Sequence, residues 1–383
     1  MSKDQIINII DSSREEMLSM LERFVNIDTG AYTIDGVKEL TAQIKLFVEG
    51  IGFETENIAS EIYAPHLIAR KKGIGKKKIL CLAHMDTVFE AGVAAERPFK
   101  ISDGKAYGPG VYDMKAGIVC LLYLLKTLSE MNFDNYASIT LLFNSDEERG
   151  SVTSEKMILE ESAEADAVFV FEPGGEPNDV CIERKGGGIF NLEIWGKPAH
   201  AGSDPESGIH ALEEMAHKLL AMHEQTDYSK MRSISVGVVK GGTRSNIIPE
   251  YVFAEIDIRC KTNEDGEILI QKMKDIAGHN FVKGTKSKLS KIMYRPPLER
   301  TEENTALFEL YRRAGAEFGA DISESLRGGG SDGNYASGLG IAVIDSLGPV
   351  GALAHTDDEY IVVESLFERT KIAAKFMEFY CAK

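Results

Sequence analysis

Five side chains of the kinds that hold divalent cations are spread in order along the chain: His84 in HMDTV, Asp113 in GPGVYDMKAG, Glu148 in SDEERGS, Glu172 in FEPGG and His355 in ALAHTDDEY. Two imidazoles and three carboxylates are the donors that a pair of zinc-like ions needs if one carboxylate bridges both and a water bridges opposite it. Such a set implies hydrolytic chemistry.

The elements around these residues must bring them together. Lys78 to Leu82 (KILCL) is a short apolar run that reads as a buried strand, so His84 and Asp86 fall at its C-terminal end, where open α/β sheets place their ligands. Alternate residues of a strand point the same way, so the Asp86 carboxylate is expected to accept the imidazole N–H and orient the ring. Further strands are expected at Ile139 to Phe143, before Ser145 and Asp146, and at Ala167 to Phe171, before Glu172. A long apolar helix is expected from Lys115 to about Met131. Four of the five candidates then follow strands or open helices on one side of a sheet. Upstream, Ser12 and Glu15 read as a capping box for a helix carrying Met17, Leu21 and Phe24, and a second helix is expected over Val37 to Val48.

The pattern changes after Lys185. Ile189 to Trp195 alternates, Ile209 to Met222 is amphipathic, strands are expected at Ile234 to Val239 and Tyr251 to Ile258, a helix at Asp265 to Ile276, and a last strand near Lys288 to Met293. That β-α-β-β-α-β order matches a ferredoxin-like module with an antiparallel sheet. The expected organisation is a catalytic domain split into residues 1–185 and 295–383 by an insert at 186–294. The second segment opens with a helix at Thr305 to Phe318 and continues through the Gly328 to Gly330 run, a buried strand at Ile341 to Asp345 and a helix from about Val363.

Composition narrows the partners. A chain of 383 residues with 43% hydrophobic content exceeds one compact core. A formal charge of −17 argues against nucleic acid or anionic membrane as the main partner. The first residues carry no signal-peptide core, and no apolar run reaches the roughly 18 residues of a membrane span. Five scattered cysteines, Cys81, Cys120, Cys181, Cys260 and Cys381, read as reduced thiols of a cytoplasmic protein.

Taken together, these motifs resemble the cocatalytic dizinc exopeptidases and deacylases, a family that includes glutamate carboxypeptidase, aminoacylase-1, acetylornithine deacetylase and succinyl-diaminopimelate desuccinylase. The resemblance implies an α/β fold: a zinc-exopeptidase-like catalytic domain with a central mixed sheet flanked by helices, plus an inserted ferredoxin-like lid and dimerisation domain. It makes Asp113 the carboxylate shared by two divalent metal ions, zinc or in its place cobalt or manganese. His84 and Glu172 complete one site, Glu148 and His355 the other. A cis peptide is expected after Asp113.

Glu147 becomes the general base, although DEER alone also reads as an acidic helix start. His200, in AHAG, is expected to reach the active site of a partner subunit, its alternative being a capping or surface histidine. Asn246 and Arg259 match positions that hold the substrate's carboxylate, Arg259 reading equally as a surface ion pair. Arg295 is a further anion-binding candidate. Gly330 and its neighbours would let backbone approach the substrate, or form a plain mobile loop.

The implied substrate is a small peptide or N-acyl amino acid. Glu at position 172 accompanies carboxypeptidases and deacylases in this family, and Asp accompanies aminopeptidases. The expectation is therefore a carboxypeptidase acting next to a C-terminal amino acid, with N-acyl amino acid deacylase and di- or tripeptide aminopeptidase as alternatives. A dimeric binding protein without turnover is the remote one.

Overall fold

The computed structural model describes residues 1–176 and 178–382. Contacts divide them into two compact units: 1–183 with 300–327 and 331–383, and 184–299 with 328–330.

The first unit is built on a six-stranded mixed sheet. Its order is Glu54–Ile58, His66–Lys72, Ser138–Asn144, Lys78–His84, Ala167–Val170, Ala342–Ile344. The last four strands run parallel, and the first two are antiparallel to their neighbours. The parallel strands are covered on both faces, which is why they read as unbroken apolar runs. Ile79, Cys81 and Ala83 face the main core with the helices Ala116–Glu130 and Val363–Cys381. On the alternate positions, Val170 meets the short helix Gly333–Gly338 so closely that a Cβ on Gly333 would lie 2.9 Å from its side chain. The helix Ala116–Glu130 is buried nearly all round. Such a helix belongs inside a layered domain, not on its surface.

Two upstream expectations need correction. Ser12 is not a cap: it ends a helix Lys3–Ser12, and its hydroxyl donates back to the carbonyls of Asn8 and Ile9. The next helix, Arg14–Val25, starts at Ser13 without a side-chain cap. The helix expected over Val37 to Val48 runs Ile34–Gly50.

A second, four-stranded sheet of very short strands pairs Lys100–Ser102, Lys105–Tyr107, Tyr360–Val362 and Gly351–Ala352. It ties the segment leading to Asp113 to the two strands that flank His355.

The second unit has strands Gly186–Trp195, Ser233–Gly241, Tyr251–Cys260 and Lys286–Arg295, with helices Ala211–His223 and Asn263–Gly278. Numbered within the unit, the strands lie in order 2-3-1-4, all antiparallel. Both helices pack on one face, over Leu192, Ile194, Val252, Ala254 and Ile256. This is the ferredoxin-like arrangement. Among the described residues no helix is long and apolar enough to cross a membrane.

Candidate metal centre

The site forms at the carboxyl ends of the parallel strands. His84 ends its strand and pairs in register with Asn144, so the two strand ends lie level. Glu147 and Glu148 occupy the 3-10 turn Glu147–Arg149 just beyond, and Glu172 follows Ala167–Val170. Asp113 sits in an irregular turn with a cis peptide to Met114. His355 lies in the loop between Gly351–Ala352 and Tyr360–Val362, at φ 65°.

Asp113 stands at the centre. His84 Nε2 is 3.1 Å from Asp113 Oδ1 and 3.7 Å from Glu172 Oε1. His355 Nε2 is 3.3 Å from Asp113 Oδ2 and 3.3 Å from Glu148 Oε1. Each carboxylate oxygen of Asp113 thus faces its own imidazole and its own glutamate. Two donors about 2.0–2.2 Å from one ion at a tetrahedral angle stand roughly 3.3–3.6 Å apart, so the spacing suits an ion in each group. The donor atoms of His84, Asp113 and Glu172, and those of Asp113, Glu148 and His355, all lie within 4.8 Å of one another. Glu148 Oε1 is buried and accepts no hydrogen bond despite the nearby imidazole, as a cation ligand would be without its cation.

The electrostatics ask for positive charge at both ends of Asp113. Burial would push the His84 imidazole down, but Asp113, Asp86 and Glu172 more than reverse this and hold it well above its usual value. The Asp113 and Glu148 carboxylates beside it push His355 up to about 10. Burial pushes Glu148 up to about 7. Burial also acts to raise Asp113, yet its hydrogen bonds to the two imidazoles hold it below the carboxylate range. Three carboxylates this close can stay ionised only beside cations, whether protons on the rings or metal.

The support differs from expectation at Asp86. His84 Nδ1 donates to the Asp86 backbone carbonyl at 2.9 Å, and the Asp86 carboxylate stands 3.6 Å away. That carboxylate instead accepts the N–H groups of Glu147 (3.1 Å) and Glu148 (3.0 Å). It pins the turn that carries the expected base and a ligand. Two residues away, a backbone carbonyl curls back to the ring more easily than a carboxylate held elsewhere.

Glu359 went unnoticed in the sequence. It is buried, and its carboxylate accepts the N–H groups of Tyr112 (2.7 Å), Asp113 (3.0 Å) and Gly110 (3.3 Å), which fixes the Asp113 turn. Its only signal was a place in the acidic run TDDEY. Arg327 plays a similar part for Glu172: it donates to the carbonyl of Pro173 at 2.7 Å and to Asp179 at 2.8 Å. A cleft at the opposite ends of the strands, lined by Arg70, Lys78, Glu161 and Glu164, is a separate feature whose charges pair as Arg70–Glu161 and Lys78–Glu164.

The family profile described as Peptidase family M20/M25/M40 matches residues 80–378. The chain belongs to this family. Among curated relatives, Carboxypeptidase G2 of Pseudomonas sp. (strain RS-16) is 32% identical over 94% of this chain and 88% of its own. A succinyl-diaminopimelate desuccinylase of Delftia acidovorans is 28% identical over 91% of this chain and 94% of its own. The fold is shared with an aminopeptidase PepT from Bacillus cereus, at a TM-score of 0.79 and 23% identity, covering 97% of this chain and 99% of that one. As an M20 protein the chain is a metallopeptidase or amidohydrolase.

The remaining candidates of this M20 chain lie in its second unit. His200 is exposed, and its Nδ1 accepts the N–H groups of Gly202 and Ser203, both at 3.1 Å. Asn246 is exposed, and its carbonyl accepts Ala201 N–H at 2.9 Å. Arg259 already grips Asp257, Nε to Oδ1 at 2.9 Å and Nη2 to Oδ2 at 2.8 Å, so the surface ion pair is present. Arg295 is buried. Gly330 lies in a loop where Arg184 donates to Gly329 O at 3.2 Å. A Cβ on Gly328 or Gly329 would meet nothing within 4 Å, so crowding does not explain those two glycines.

Proposed function

We propose that the protein is a dinuclear zinc hydrolase that cleaves the amide bond next to a C-terminal amino acid, a carboxypeptidase of the glutamate carboxypeptidase type. The observation that carries the two-ion reading is the division of Asp113, one oxygen facing His84 and Glu172 and the other facing His355 and Glu148. The carboxypeptidase reading is supported by the 32% identity to Carboxypeptidase G2 and by Glu, not Asp, at position 172.

When bound, a pair of divalent cations supplies Lewis acidity toward a water and toward the scissile carbonyl. Glu147, held by its N–H on Asp86, takes the proton from the attacking water and returns it to the leaving amine. Asp86 and Glu359 keep the base and the shared carboxylate in place while the proton moves. In the second unit, Arg259 and Asn246 receive the carboxylate of the leaving amino acid, for which Arg259 exchanges Asp257. His200 serves the oxyanion across a homodimer formed through the second unit. Five buried cysteines without disulfides fit a reducing compartment, and we place the enzyme in the cytoplasm.

The test is a metal-supplemented screen of N-acyl amino acids, dipeptides and tripeptides with each terminus blocked in turn, run beside a metal analysis. Two ions per chain and loss of turnover on amidating the C-terminus are expected. Loss on blocking the N-terminus instead would make the enzyme an aminopeptidase. A single bound ion would overturn the dinuclear reading.

A further inference from the structure

Two aromatic rings and a guanidinium that the hydrolytic steps leave unused meet beside the Glu147–Glu148 turn. Tyr32 is 64% exposed, and its ring centroid lies 5.6 Å from that of Tyr63. The Arg149 guanidinium stands 4.9 Å from the Tyr32 ring centroid. Arg149 directly follows Glu148, so its Cα is about 3.8 Å from that of a metal-ligand candidate.

The cluster is anchored to the segments that follow the two neighbouring strands ending at His84 and Asn144. Thr87, next to Asp86, donates its N–H to Thr29 O at 2.9 Å, and Thr33 N–H closes a turn on Gly30 O at 2.7 Å. A Cβ on Gly30 would lie 2.2 Å from Phe89 O, so this loop is pressed against the segment that follows His84. Tyr63 is buried, its N–H bonded to Ser60 Oγ at 3.1 Å. The neighbouring Ala64 carbonyl accepts Ser145 Oγ at 2.5 Å.

Arg149 is exposed and has no ion-pair partner among the described residues. Asp146, its acidic neighbour on the same turn, is committed to Thr153 and Ser154. In a chain with 60 acidic and 43 basic side chains, an arginine without an ion pair on the same turn as a metal-ligand candidate is a local seat for an anion. Its planar fork matches a carboxylate, and the Tyr32 ring beneath it restricts its orientation.

We propose that Tyr32 and Arg149, backed by Tyr63, receive the acyl half of the substrate and select acyl groups that end in a carboxylate. This rests on the amide-hydrolase reading above. The leaving amino acid has its own carboxylate partners in the second unit, which leaves this seat for the other half.

The test compares N-succinyl, N-succinamoyl and N-butyryl forms of one amino acid, which share length and differ in the terminal group. The metal-loaded native protein should favour the succinyl form by about tenfold or more in kcat/KM. Arg149→Gln should remove that preference mainly through KM, Arg149→Lys should restore part of it, and Tyr32→Leu should weaken it. Equal losses on all three substrates, or an unchanged preference, would overturn the proposal. If the native protein hydrolyses none of them, the amide-hydrolase reading fails by itself, and calorimetric binding of the N-succinyl compound decides the seat. Binding weakened about tenfold by Arg149→Gln supports it. Equal binding to both proteins rejects it.

Discussion

In the first unit, His84 and Glu172 are buried beside Asp113, Glu148 is half-buried and His355 is exposed, and the turns that carry Glu148 and Asp113 are held by the buried carboxylates of Asp86 and Glu359. In the second, His200, Asn246 and Arg259 are exposed or half-exposed, and the side chains of His200 and Arg259 are engaged by residues two or three positions away in the sequence. Asp86 grips the Glu147–Glu148 turn and Glu359 the Asp113 turn, so the donors of the first unit stand close to their working spacing before any ion arrives. In the proposed role, Arg259 must release Asp257 to take a substrate carboxylate. Chemistry that needs ligands placed to a few tenths of an ångström is built on strand ends, whereas substrate selection tolerates, and uses, surfaces that rearrange.

The sharpest way to break this contrast is at the base. Glu147→Gln keeps the size and the backbone N–H that Asp86 holds, so metal content should be retained while kcat falls about 10²–10⁴-fold, the usual worth of general acid–base catalysis. Near-native turnover in the metal-loaded variant would remove Glu147 from that role. Glu359→Ala attacks the support instead. Loss of a partner that orients a ligand commonly weakens metal affinity by about 10–100-fold, which competition with a chelator would read. An unchanged affinity would mean that the Asp113 turn holds without its three hydrogen bonds to Glu359.

How much of this was legible follows from the same physics. The strands ending at His84, Asn144 and Val170 showed in the sequence because both of their faces are buried, and the ferredoxin-like unit showed because its alternation and helical spacing are regular. The short sheet joining Lys105–Tyr107 to Tyr360–Val362 did not, since three residues carry no period. The strands Glu54–Ile58 and His66–Lys72 were also passed over: one is largely exposed, and the other ends in charged residues at the surface. Ser12 misled because a serine near an acidic residue looks alike at the end of one helix and the start of the next. All five metal-ligand candidates were named from the sequence, but of their supports only Asp86 was, and Glu359 and Arg327 were not. A buried glutamate such as Glu359 looks in sequence like any member of an acidic run, and Asp86 was assigned to the His84 ring, which its carboxylate stands 3.6 Å from, without its hydrogen bonds to the turn some sixty residues on.

In the second unit the expected effects are smaller. Arg259→Ala should lower kcat/KM for substrates with a free α-carboxylate by about tenfold more than for their amides, and equal losses would count against its role. Asp257→Asn sharpens the point, because it weakens the grip that occupies the Arg259 fork. KM for free-carboxylate substrates should then fall. A rise would mean that Asp257 holds Arg259 in position for the substrate.

The smallest effect concerns stability and compares the units directly. Burial acts to raise Asp179 in the first unit, but Arg327, Ser325 and the Gly175 N–H hold it below the carboxylate range. In the second unit burial likewise acts on Glu214, outweighed by the Val282 N–H and Lys218. A carboxylate depressed in the folded state binds fewer protons there than in the unfolded chain, so its stabilisation is complete above the ordinary value near 4 and is lost as pH falls through the lower folded value. Asp179→Asn should therefore cost about 1–2 kcal/mol at pH 7 and progressively less below pH 4, read by urea unfolding across that range. Because Arg327 also holds the Pro173 carbonyl, Asp179→Asn should loosen metal binding slightly, while Glu214→Gln, with a similar stability profile, should leave it alone. Equal effects of the two variants on metal affinity would erase the distinction between a unit that shapes the metal centre and one that does not.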